Sequence, residues 1–258
     1  MPSGFITQYI DVAQLTLWAF WFFFFGVVYF IRREDKREGY PVESQRMFGA
    51  IKMMEGFPPL PKPKTFVLPH NGGEVVKPSP DRPQYDFKLE PVDNFPGAAF
   101  RPVGNPMLAG VGPGSYAVRS DKPDLTHGGE PRIVPMRVAK HFSVVDKDPD
   151  PRGMTVIGAD GEVGGKVTEI WVDRSEPQVR YLELETSNKK KVLLPINMCV
   201  VKGKKQQVKV QSINGAHFND APTLASYDQI SLAEEDKVTA YYGGGTLYAT
   251  PDRAEPFL

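Results

Sequence analysis

VAQLTLWAFWFFFFGVVYFI, residues Val12–Ile31, decides how the rest of the chain is read. It carries no charge, and Gln14 and Thr16 are its two plainly polar side chains. As a helix rising about 1.5 Å per residue it is roughly 30 Å long, the thickness of a bilayer's hydrocarbon core. It is apolar on every face, which disfavours a half-buried core helix. A cleaved signal peptide would show a basic start and a small-residue exit. Here the first eleven residues hold no Lys or Arg, and bulky Tyr29, Phe30 and Ile31 run straight into Arg32. The stretch is expected to be a single transmembrane helix that continues, as a polar extension, to about residue 39.

Working outward, all 31 basic residues lie at or after Arg32, with Arg32, Arg33, Lys36 and Arg37 just beyond the span. Basic residues gather on the cytoplasmic side of short flanks. Residues 1–11 are therefore expected outside, as a periplasmic tail in a bacterium, and the large C-terminal part inside. Arg32, Arg33, Lys36, Arg37 and Tyr40 are candidates for contact with anionic lipid headgroups, besides setting topology. Trp18, Trp21, Phe22, Phe25 and Tyr29 share one helical stripe, which faces either lipid or another membrane protein.

Residues 40–116 contain thirteen prolines between Pro58 and Pro113 and no periodic segment long enough to bury a core. Such a segment is a linker or a strap laid on another protein. Within it, Arg46–Glu55 has weak helical periodicity. Residues 117–250 differ. HFSVVD, MTVIGADGEVGGKVTEIWVD, VRYLELET, KKVLLPINMCVV and KQQVKVQSI read as short strands separated by turns, a small antiparallel barrel of five or six strands. Ser231-x-x-Glu234 is a capping box for a late helix over residues 226–245, with Gly243–Gly245 as its end. Residues 251–258 form a tail. The fold class is a single transmembrane helix plus a mainly-β domain with an extended Pro-rich strap.

Composition narrows the function. The net formal charge is zero, so nothing points to nucleic acid. One cysteine, Cys199 in INMCVV, permits no internal disulfide and reads as a small buried hydrophobe. Walker, HExxH, CxxC and nucleophile-elbow motifs are lacking, so no enzyme is indicated. The histidines His70, His127, His141 and His217 are scattered, and no metal site is expected. Asp173 and Glu176 stand where the strongest strand ends, with Arg174 and Arg180 close by. They form either a solvated turn with surface ion pairs, which the residues alone favour, or a rim that passes protons. A membrane-tethered adaptor is the alternative class of function.

The whole chain resembles one family, the H subunit of the purple-bacterial photosynthetic reaction centre. The resemblance is carried by the span, REGYP (Arg37–Pro41), PLPKPKTFVLP (residues 59–69), NPMLAGVGPGSY (Asn105–Tyr116), PRIVPM (Pro131–Met136), GKVTEIWVD (Gly165–Asp173), YLELE (Tyr181–Glu185) and LAEEDKVTAYYGGGTLYA (Leu232–Ala249). It implies a PRC-barrel in the cytoplasm, capping the quinone side of the L and M subunits in a bacterial inner (intracytoplasmic) membrane, with a cytochrome subunit and light-harvesting antenna in the wider complex. It implies that this chain ligates no cofactor, while the complex holds bacteriochlorophyll, bacteriopheophytin, quinones, non-haem iron and carotenoid. It gives Glu176, Asp173 and Arg180 a role in proton transfer to the secondary quinone, and makes the Pro-rich segment the strap over L and M. It also brings cardiolipin to the basic flank. Some members carry two histidines in HGH spacing at the proton uptake point; here the stretch reads Thr126-His127-Gly128-Gly129-Glu130, so His127 and Glu130 stand there. With a strap that needs a partner, the aromatic stripe reads better as a face that packs on a neighbouring membrane subunit.

Overall fold

The computed structural model describes residues 4, 6–7, 9–40, 43–46, 49–52, 56–79, 88–95 and 98–253. By internal contacts the chain divides into two units, Met1–Tyr85 and Asp86–Leu258.

The first unit holds α1, Val12–Asp35, whose N-cap is Asp11 accepting the Gln14 amide. The polar Thr16 is satisfied within the helix, its hydroxyl donating to the Val12 carbonyl at 2.8 Å. No residue of α1 is buried, and it is the one helix among the described residues long and apolar enough to span a bilayer. It stops at Asp35, a turn earlier than its expected polar extension. Beyond it, β1 (Glu43–Arg46) and β2 (Gly49–Lys52) pair antiparallel. The short helix expected over Arg46–Glu55 is therefore replaced, at its described positions, by a hairpin; residues 47, 48 and 53–55 lie outside the described residues. A second hairpin joins β3 (Lys64–Val67) to β4 (Glu74–Lys77).

The second unit starts with a short hairpin, β5 (Leu89–Pro91) with β6 (Phe100–Pro102). Its body is a seven-stranded sheet: β7 (Ile133–Pro135), β8 (Thr155–Ile157), β9 (Val163–Asp173), β10 (Gln178–Thr186), β11 (Lys191–Pro195), β12 (Cys199–Lys202) and β13 (Gln207–Val210). The order is β11-β10-β9-β8-β13-β12, with β7 also on β9. All pairs are antiparallel except β8 with β13, which run parallel. The eleven-residue β9 is the spine. Its first half pairs β8, its second half pairs β7, and β10 runs along its other edge.

Val167, Ile170, Trp171 and Val172 of β9 are all buried, so both faces of this strand are covered. They join Leu182, Leu184 and Leu194, with Phe218 and Tyr242, in one core. Gly164 makes room there: a Cβ on it would lie 2.1 Å from the Phe218 ring. Trp171 donates its indole N–H to the buried Glu183 carboxylate at 3.2 Å. Thr168 and Lys191 also bond that carboxylate, so a charge inside the core is compensated.

The late helix α2, Leu232–Tyr248, has the expected capping box, Ser231 accepting the Glu234 amide while Glu234 accepts the Ser231 amide. The glycine triplet does not end it. Gly243–Gly245 lie inside the helix, and a Cβ on Gly245 would meet Ile213 at 2.2 Å. Close approach between helix and neighbouring backbone, rather than termination, explains that glycine.

Candidate functional site

Asp173 is the last residue of β9 and is fully buried at 0% exposure. Its Oδ1 accepts the amides of Ser175 at 2.8 Å and Glu176 at 3.0 Å, closing the turn into β10. Both of its oxygens also accept from Arg132 Nε, at 3.0 and 2.9 Å. Register explains that partner: Ile133 of β7 faces Asp173, which sets Arg132 beside it. Burial by itself would push the Asp173 carboxyl up. The Arg132 guanidinium and the two amides outweigh burial and hold it below the usual carboxylate range. Asp173 raises Arg132 above its own ordinary value in return.

Arg132 is a hub. Its Nη1 lies 3.2 Å from Asp124 and its Nη2 3.2 Å from Glu176. Glu176, 67% exposed, thus stands in water with one oxygen on the hub and the other accepting from Gln178 at 3.3 Å. A second pair flanks the first. Arg174 Nη1 bonds Glu130 at 2.8 Å, and Arg174 Nε donates to the Pro131 carbonyl at 2.9 Å. His127 is exposed on the turn between Thr126 and Glu130, which is closed by the Thr126 amide on the Glu130 carbonyl at 2.8 Å. Arg180 is the extra residue of a β-bulge, since Val179 faces Val172 while Tyr181 already faces Trp171. It lines a cavity of about 270 Å³ together with Arg132, Asp173, Tyr181 and Glu235.

The structure thus brings Asp173 and Glu176 together through Arg132, puts Glu130 on Arg174 beside them, sets Arg180 over the adjoining cavity, and leaves His127 on the outer turn. Sequence reasoning missed Arg132, Asp124 and Glu235. The one signal for Arg132 was its place before the short apolar run Ile133-Val134-Pro135, and a three-residue strand does not reveal its partner. Among the described residues, no group of three His, Cys, Asp or Glu could hold a metal ion. Burial pushes the Cys199 thiol up to about 12, which keeps it an unreactive small hydrophobe.

At the end of α1 the basic flank divides. Arg32 is exposed and 3.5 Å from Asp35, while Arg33 and Tyr40 are half-buried. Lys36 is turned inward, its ammonium donating to the Pro58 carbonyl and lying 5.4 Å from the Tyr40 ring. Arg37 grips Glu34 at 2.6 and 2.9 Å and donates to the carbonyls of Lys62 and Lys77, each at 3.0 Å. Those two side chains, expected at headgroups, are used by the chain on its own backbone, because the segment after α1 folds back over them. In the stripe, Trp18, Trp21, Phe22, Phe25 and Tyr29 are all exposed on the isolated chain. Trp21 stacks on Phe25 at 5.7 Å, and Tyr29 touches Phe57 at 5.6 Å.

Two family models match the chain. One, for the N-terminal region of the photosynthetic reaction centre H-chain, covers residues 4–138, more than half of the length. The other, the PRC-barrel domain, covers residues 143–217, a stretch that holds β8 to β13. The rim is built across the junction of the two, with Asp124, Glu130 and Arg132 from the first and Asp173, Glu176 and Arg180 from the second. The chain belongs to the photosynthetic reaction centre H-chain family and is an accessory subunit of that membrane complex.

Proposed function

We propose that this subunit supports proton uptake to the secondary quinone during light-driven electron transfer, and that the rim around Arg132 is where protons are taken in. The observation that carries the reading is one ion-paired cluster holding a fully buried carboxylate, Asp173, against a water-exposed one, Glu176. The two have different tasks. Asp173, held ionised by Arg132 and two amides, is a fixed charge that positions the guanidinium and the turn. Glu176 meets solvent on the guanidinium's edge, where a relay from bulk water to the interior begins. A fixed charge behind the exposed carboxylate keeps the local field favourable to cations. His127 and Glu130, exposed next to the cluster, extend the surface on which protons are collected.

The remaining parts serve assembly. The Pro-rich segment, whose described part forms short hairpins, is the strap over the L and M subunits and shields the quinone side. The exposed stripe of α1 packs on a neighbouring membrane subunit. The N-terminus is periplasmic and the β domain cytoplasmic, in keeping with the basic flank. Arg32, Arg33 and Tyr40 remain for anionic lipid, while Lys36 and Arg37 shape the surface behind them. Pigments, quinones and iron are bound by other subunits, and cytochrome and antenna proteins join the wider complex. The test is Glu176→Gln in the assembled complex: the proton-coupled second electron transfer to the secondary quinone slows, and primary charge separation is unchanged.

A further inference from the structure

We propose that Glu235, on the first turns of α2, is a second proton-holding carboxyl, set behind the rim and opening onto the same cavity as Asp173 and Arg132. The inference rests on the proton-uptake reading above and adds a residue to it. Glu235 is half-buried, and its Oε2 accepts the Tyr181 hydroxyl at 3.0 Å. Tyr181 sits next to the bulge that carries Arg180, so β10 supplies both a donor and a cation to this carboxyl.

Most of the elements around the cavity contribute a charged or polar group. β10 gives Tyr181 and Arg180, β9 gives Asp173, the segment leading into β7 gives Asp124 and Arg132, α2 adds Asp236 and Thr239 beside Glu235, and Arg119 is a further cation on the wall. Most are committed elsewhere. Arg132 serves Asp173, Asp124 and Glu176, while Arg119 is 3.3 Å from Asp236. That leaves Glu235 with the Tyr181 phenol and with Arg180, which acts on it by charge. Burial raises the Glu235 carboxyl; the Tyr181 bond and Arg180 oppose this, while Asp124 and Asp236 reinforce it, and the net direction is up. Tyr181 is itself pushed well above its ordinary value by burial and by Glu235, so it remains a phenol and serves as donor, not as proton source. A cavity of about 270 Å³ has room for several waters at about 30 Å³ each. A proton reaching Glu235 comes from such water and leaves to it, forming and breaking one O–H bond on the carboxyl.

Asp173 and Glu235 therefore differ in kind. Among the carboxylates that line the cavity, Asp173 is held charged by its arginine, Asp124 and Asp236 are paired with Arg132 and Arg119, and Glu235 is left to titrate. Carboxyls whose surroundings push them in opposite directions divide the roles of fixed charge and proton holder.

The experiment uses the assembled reaction centre carrying Glu235→Gln or Tyr181→Phe, with Glu176→Gln in parallel. Light-induced infrared difference spectra in H2O and D2O read the protonated-carboxyl C=O region on reduction of the secondary quinone, and a pH dye reads flash-induced proton uptake. The expected result is loss of one D2O-sensitive carboxyl band and reduced uptake in Glu235→Gln, and a displaced band in Tyr181→Phe, where the carboxyl remains. If Glu235→Gln keeps every band and full uptake while Glu176→Gln slows the second electron transfer, the inference is overturned and the rim reading stands. If Glu176→Gln is also without effect, the reading fails and takes the inference with it.

Discussion

Replacing Arg132 by Leu removes the hub of the rim while keeping most of its aliphatic bulk. Asp173, at 0% exposure, then keeps the amides of Ser175 and Glu176 but loses its counter-charge. Breaking a buried pair from one side costs about 3–5 kcal/mol. Arg132 is itself 27% exposed, and water reaching that side screens part of the loss, which lowers the expected cost to about 2–3 kcal/mol. For a chain of this size that is a fall in Tm of about 5–10 °C. The assay is thermal unfolding of the full chain in detergent, followed by the β signal in circular dichroism. The pH dependence has a definite sign. Asp173 is lowered on folding, so its stabilisation is present above the unfolded carboxylate value near 3.9 and is lost as pH falls through the lower folded value. The gap between wild type and Arg132→Leu is then full at neutral pH and closes in acid below about pH 4. Asp173→Asn, which keeps an acceptor for the turn amides, costs less than Arg132→Leu, and the double variant costs less than the sum. A Tm within about 2 °C of wild type for Arg132→Leu, or a gap that persists undiminished in acid, refutes the reasoning.

Two further predictions concern the frame. Gly245→Ala places a methyl 2.2 Å from Ile213 and 2.8 Å from the Ser212 carbonyl; overpacking at about 1–3 kcal/mol outweighs a helix gain of about 1, so urea unfolding shows a net loss, and a gain contradicts the account of that glycine. Arg37→Ala frees the Lys62 and Lys77 carbonyls that hold β3 and β4, so amide exchange over residues 64–67 and 74–77 accelerates about tenfold, and unchanged protection contradicts the role given to Arg37.

The parts of this chain that were legible in its sequence are those fixed by local chemistry. An uncharged twenty-residue run can only be satisfied as a helix in lipid or a covered core, and α1 begins at its own cap, Asp11. Ser231 and Glu234 announce the start of α2 because a capping box is a contact between neighbours in sequence. The IWVD strand was readable from its β-branched and aromatic residues. What was not legible depends on contacts distant in sequence. Arg132 meets Asp173 across 41 positions through the β7–β9 register. Gly243–Gly245 looked like a helix end because glycine usually is one, and the tight approach of Ile213 and Gly114 that calls for them comes from other segments. The parallel pairing of β8 with β13 and the bulge at Arg180 are likewise set by how the sheet closes, not by any short pattern. For the same reason no short pattern marks Glu235, whose partner Tyr181 reaches it across 54 positions.

The rate of the second electron transfer to the secondary quinone in complexes carrying Glu176→Gln, followed by flash absorption between roughly pH 5 and 9, tests the rim most directly. This rate is expected to fall and its pH dependence to change, while primary charge separation in the same samples keeps its wild-type rate. A second-transfer rate equal to wild type at every pH contradicts the rim as the site of proton uptake.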